Sequence, residues 1–144
     1  MAQQDSLGFL MADVSRLMRR LFQERLESSS LTLAQARALI YISRSEGIRQ
    51  VDLAEMLEVR PITLGRLVDQ LASSRLVERR SDPADRRVYR LFLLPAADEQ
   101  LTAIRNVVAI IQEQALGQLD SDQASAVLFA LSTMRENLCG VRKV

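Results

Sequence analysis

The chain has 144 residues, 48% of them apolar, with 19 Lys and Arg against 18 Asp and Glu, a length that suits one compact domain or one that completes its core by dimerising. No histidine and a single cysteine, Cys139, exclude an ordinary zinc site, Ser-His or Cys-His catalysis and an internal disulfide, and a lone thiol fits a reducing cytoplasm. No apolar run approaches 18 residues, which excludes a membrane span, and the charged first helix argues against a signal peptide.

Leu7, Leu10, Met11, Val14, Leu17, Met18 and Leu21 recur at three- and four-residue steps, which predicts an amphipathic helix from about Asp5 to Glu27. Ser28 to Ser30 break it. Thr32 with Gln35 forms a capping box opening a second helix, which Gly47 ends near Glu46. A short helix follows from about Gln50 to Leu57, with Leu53, Ala54 and Leu57 facing inward. After a turn at Glu58 to Arg60, Pro61 takes the first position of a fourth helix, where proline is best tolerated. This helix reaches about Ser74 and buries Leu64, Leu67, Val68 and Leu71.

Residues 75–94, RLVERRSDPADRRVYRLFLL, break the helical pattern. Two runs rich in Val, Leu, Phe and Tyr flank an Asp-Pro turn, which predicts a β-hairpin with a cationic tip. Pro95 then starts a long helix to about Leu116. Asp120 with Gln123 caps a last helix containing Val127, Leu128, Leu131, Met134 and Leu138. The expected fold is therefore mainly α: six helices, with one hairpin between the fourth and the fifth. The wide apolar arcs of the terminal helices predict that they bury part of this surface against a second copy.

Charge is unevenly placed. Residues 60–94 carry eight Arg against four acids, whereas the segments on either side are net negative. Eighteen of the nineteen cations are Arg, whose planar fork suits phosphate and base edges. Residues 49–94 thus read as a helix-turn-helix followed by a wing, with the start of the fourth helix entering the major groove of DNA. Arg60, Ile62, Thr63 and Arg66 are exposed there by helical spacing. Thr63 can meet a phosphate or a thymine methyl, and Arg66 a guanine edge or a phosphate. Gly65 costs about 1 kcal/mol against Ala in a helix, and a close approach of backbone to the duplex would explain it.

The order of elements, the core residues Leu53, Ala54 and Leu57, and Leu76-Val77-Glu78-Arg79 leading into Asp82-Pro83-Ala84-Asp85-Arg86-Arg87 resemble the MarR family of winged-helix regulators over the whole chain. The resemblance implies a single domain over 1–144, with a DNA-binding lobe at 32–94 and dimerisation helices at 1–28 and 95–144. It implies a cytoplasmic homodimer without a cofactor, catalytic residues or a metal, bound to a pseudo-palindromic operator in double-stranded DNA. Most regulators of this kind are repressors released by a small amphipathic or aromatic effector. Carried onto this sequence, Arg87 enters the minor groove, Asp85 orients it, and Arg86 contacts a nearby phosphate. A narrow A·T-rich minor groove concentrates negative potential and favours such an arginine.

Three positions depart from the family pattern. Arg75 stands where glycine is common, so the turn into the first strand is expected to be made differently. A capping threonine is missing at Arg49, and Ala84 replaces a third wing arginine. The effector-binding residues are not legible; Arg16, Arg19 and Arg20 are candidates for a pocket rim, and an exposed helix face accounts for them equally well. Cys139, among apolar neighbours, is expected to be a buried small hydrophobe rather than a redox sensor. The rival reading is a helical protein-interaction module that keeps the winged fold without binding DNA.

Overall fold

The computed structural model describes residues 5–27 and 29–141, and the chain divides into two compact units at Val108/Ala109. The elements are α1 (Leu7–Leu26), α2 (Leu33–Arg44), α3 (Gln50–Met56), α4 (Pro61–Ser73), β1 (Val77–Ser81), β2 (Tyr89–Leu93), α5 (Ala97–Leu116) and α6 (Ser121–Cys139). Their order matches the sequence reading element for element. None of the described helices is long and apolar enough to cross a membrane.

Local chemistry explains most helix starts in the first unit. Ser6 caps α1 by accepting from the Phe9 amide. The Thr32–Gln35 box closes in both directions, at 3.2 and 2.9 Å. Arg49 precedes α3 without a side-chain cap, which leaves that short helix dependent on packing, and Pro61 sits at the start of α4. The core gathers Leu39 and Ile42 from α2, Leu53 from α3, Leu64, Val68 and Leu71 from α4, and Leu91 from β2, all essentially inaccessible. These positions on α4 follow the i, i+4, i+7 spacing of one helical face.

The two strands pair antiparallel, with Val77 opposite Leu93, Arg79 opposite Leu91 and Ser81 opposite Tyr89. The chain ahead of α3 joins their edge. Gly47 donates to the Leu91 carbonyl at 2.8 Å, and the Leu91 amide donates to the Ile48 carbonyl at 3.0 Å. Gly47 does so at φ +89°, a conformation that glycine adopts without a Cβ penalty. The hairpin root is thus tied to the α2–α3 connection, giving an isolated two-stranded ribbon the support it needs.

Arg75 makes the turn into β1 at φ +57°, so the left-handed geometry that glycine favours is kept rather than replaced. A side chain there costs about 1–2 kcal/mol relative to right-handed backbone. Arg75 to Leu76 are fixed by amide bonds to the Ala72 and Leu71 carbonyls, which hold the chain in that conformation.

Much of α1 is not buried. Phe22 and Leu26 are, but Leu7, Leu10, Met11, Val14, Leu17 and Leu21 remain exposed on one stripe. Arg16 and Arg20 pair with Asp13 and Glu24 of the same helix, as residues on a solvated face do.

In the second unit, Asp120 and Gln123 form the expected reciprocal cap of α6, at 2.8 and 3.0 Å. No described residue of α6 is buried, and Val127, Leu128, Leu131 and Leu138 are open to solvent in the single chain. Cys139 is likewise exposed, which corrects the expectation that it is a buried hydrophobe. Apolar neighbours in sequence did not supply apolar neighbours in space, because α6 has no covered face within its own chain.

Candidate nucleic-acid interface

The outward face of α4 is built by exclusion. Because Leu64, Val68 and Leu71 turn into the core, Arg60, Ile62, Thr63 and Arg66 turn out, and all four are exposed. Ile62 is 65% exposed, a large apolar side chain left mostly in solvent. Such a residue at the start of a groove-reading helix matches a thymine methyl in chemistry. Gly65 is placed apart from these four. An added Cβ would meet the Gln50 side chain at an ordinary 3.7 Å, and the Gly65 carbonyl accepts from Arg79 at 2.9 Å.

The hairpin tip is shaped by two aspartates. Asp82 is buried and accepts from the Ala84 amide at 2.8 Å and from Arg90 Nε at 2.6 Å. The amide bond, then the guanidinium, hold its carboxyl below the usual carboxylate range. Asp85 accepts from Arg87 through the backbone amide (3.0 Å), Nε (3.1 Å) and Nη2 (3.2 Å). Its carboxyl is lowered too, first by the Arg87 side chain and then by the Arg87 amide. The result is an arginine aimed by its neighbour yet free at its outer edge: the Arg87 side chain is 90% exposed. Arg86 is also exposed, beside it.

Between the tip and the helices lies a cleft of about 190 Å³, lined by Gln50, Val51, Pro61, Arg87, Val88 and Tyr89. It separates the wing arginine from the first turn of α4. Arg87 of the hairpin lines one bank of this furrow and Pro61, at the start of α4, the other.

Several arginines in the segment are internal braces, which the sequence reading did not distinguish. Arg90 donates from Nη1 to the Gly47 carbonyl at 2.9 Å while it holds Asp82. Arg79 donates to Gln50 Oε1 (2.9 Å), Asp69 Oδ1 (2.6 Å) and the Gly65 carbonyl. Arg80 lies 3.9 Å over the Phe92 ring and pairs with Glu78. Arg49 makes two bonds to Asp52, at 2.8 and 3.0 Å, which raise its pKa and lower that of the carboxylate. Strand register is the signal that could have separated Arg79 from the tip cations, since it lies opposite the wholly buried Leu91.

Comparison with known proteins agrees with this architecture. The MarR family model matches residues 29–88, which span α2 to the hairpin tip. The transcriptional repressor MdtR of Bacillus subtilis is 28% identical over 109 residues, covering 69% of this chain and 70% of that protein. Wild-type MarR from Escherichia coli, in its apo form, superposes with a TM-score of 0.81 at 25% identity, covering 92% of this chain and 98% of that one. The fold is also that of MepR from S. aureus, whose structure was solved as a DNA complex: TM-score 0.73, 20% identity, 93% and 99% coverage. A helix-turn-helix with an arginine-tipped wing, a family model matching residues 29–88 and a whole-chain structural likeness to MarR make this chain similar to the MarR family of winged-helix transcriptional regulators.

Proposed function

We propose that the chain acts as a homodimer that binds a pseudo-palindromic operator, represses transcription there, and is released by a small amphipathic or aromatic effector. In this reading residues 32–94 form the DNA-binding lobe, while 1–28 and 95–144 are dimerisation helices. Arg60, Ile62, Thr63 and Arg66 meet the major groove, whereas Gly65 faces Gln50 and serves the contact with Arg79. Arg87, aligned by Asp85, enters the flanking minor groove and Arg86 meets a phosphate.

The observation that carries the reading is Arg87, held by three bonds to Asp85 and almost wholly exposed across a furrow from the start of α4. The bonds to Asp85 restrict the guanidinium's orientation while leaving its outer edge open to a phosphate or base edge. The dimer is supported by the apolar stripe of α1 and the uncovered residues of α6, because helices are stabilised chiefly by packing an apolar face. Repression follows the named function of MdtR.

The test is a titration of genomic fragments enriched by the purified protein. Arg87→Ala should weaken binding about tenfold or more, the worth of one good groove contact. Log affinity should fall with log salt as phosphate contacts release counterions. Binding that ignores both salt and Arg87 would favour a protein-interaction module instead. Arg66→Ala should cost roughly 1–3 kcal/mol on the preferred sequence if Arg66 reads a base, and an equal loss on every sequence would make it a phosphate contact.

A further inference from the structure

We propose that Arg79 is a positioning residue for DNA binding, fixing the angle of the wing against α4 so that both reach the duplex in register. The inference rests on the DNA-binding reading above and adds to it a residue that need not touch DNA.

Arg79 sits in the middle of β1 and reaches across two helices. Its Nε bonds Gln50 at the start of α3, its Nη1 bonds Asp69 on α4, and its Nη2 bonds the Gly65 carbonyl within α4. The side chain is only 25% exposed, whereas Asp69 is 66% exposed. Among the described residues these are the only side-chain hydrogen bonds that join the hairpin strands to α4. The inner part of the hairpin is in contact with α4, with Val77 and Leu91 buried, but toward the tip a cleft bounded by Pro61, Val88 and Tyr89 separates the wing from the start of that helix. Arg79 supplies the directional polar contact on that side.

The chemistry suits a device that sets direction. Apolar packing is non-directional and would allow the ribbon to rock. A guanidinium presents its donors in one rigid plane, and here that plane is satisfied on three sides. Lysine could neutralise Asp69, but its flexible ammonium could not hold three acceptors in one plane. The required accuracy follows from dimensions. From Arg79 to the tip the ribbon extends about 15 Å at about 3.3 Å per residue. A tilt of about 10° moves its tip roughly 3 Å, close to the spacing of one base step, about 3.4 Å per strand. Losing the brace would misplace Arg87 by about a base pair while leaving its own bonds to Asp85 intact.

A double-mutant cycle on the enriched operator tests this. Arg79→Ala and Arg87→Ala should each weaken binding about tenfold, and the double variant should bind little worse than Arg87→Ala alone. A misplaced wing without its groove arginine has little left to lose beyond the Arg86 phosphate contact, far less than a second tenfold. Arg79→Lys should recover only part of the loss. Asp69→Asn, a change on an exposed helix face, should produce a smaller loss that Arg87→Ala also masks; it keeps the test open if Arg79→Ala fails to fold. Losses that multiply to about a hundredfold would overturn the proposal, since Arg79 would then act independently of the wing. Full affinity in both Arg79→Ala and Asp69→Asn would overturn it as well. If the unsubstituted protein binds no duplex, or Arg87→Ala changes nothing, the DNA-binding reading fails and takes this inference with it; if Arg87→Ala weakens binding and Arg79→Ala does not, only the brace is wrong.

Discussion

Leu17→Asp should convert the protein to monomers at concentrations where the parent chain is dimeric. Leu17 is 45% exposed in the single chain and stands on a stripe with Leu10, Val14 and Leu21. The stripe is exposed among the described residues, so a charge there should leave the protomer fold nearly untouched. In a two-fold dimer each substitution occurs twice, and the same patch supplies both sides of the contact. Burying a carboxylate without a partner costs several kcal/mol. The dissociation constant should therefore rise by more than about a hundredfold, roughly 3 kcal/mol. Sedimentation velocity across a dilution series measures it. The same charge at Gln23, which is exposed and off the stripe, is the control and should leave association unchanged. Operator affinity should fall with the dimer, because a protomer alone engages one half-site and forfeits the second. A dimer of undiminished strength in Leu17→Asp would remove α1 from the interface.

What could be read from the sequence was whatever depends on near neighbours. The Thr32–Gln35 and Asp120–Gln123 boxes, the proline at the start of α4 and the Asp-Pro turn act within three or four residues, and each formed as expected. Helical spacing also separated the inward Leu64, Val68 and Leu71 from the outward Ile62, Thr63 and Arg66. Contacts spanning greater distances were not legible. Arg79 meets Gln50 across 29 positions and Arg90 meets Gly47 across 43, so no partner close in sequence marks them apart from Arg86 and Arg87, and strand register alone singles out Arg79. Composition grouped eight arginines as one basic patch, but the fold splits them into braces and free cations. Cys139 was misread for a related reason: apolar sequence neighbours on a helix do not create a core unless another element covers them. Arg75 is a local case of another kind: hydrogen bonds at the end of α4, to the Ala72 and Leu71 carbonyls, hold it in a left-handed turn that its side chain disfavours.

Leu64→Ala should separate the stability of α4 from its contact with DNA. Leu64 is wholly inaccessible and lies on the opposite side of the helix from Ile62 and Arg66. Removing its branched end leaves a cavity in the centre of the lobe, at a cost of about 2–5 kcal/mol. For a chain of this size the thermal midpoint should fall by roughly 10 °C or more. The comparison must be made at one protomer concentration, because association contributes to the measured midpoint. Well below that midpoint the variant still presents Arg60, Arg66, Arg86 and Arg87, so its dependence of log affinity on log salt should match that of the parent. Arg66→Ala should show the inverse pattern, with little change in melting and a clear change in binding, since an exposed helix residue away from special features rarely moves stability by more than about 0.5 kcal/mol. If Leu64→Ala instead flattened the salt dependence without lowering the midpoint, the inner and outer faces of α4 would have to be exchanged. The helix would then present Leu64, Val68 and Leu71 outward, and Arg60 and Arg66 would no longer face solvent.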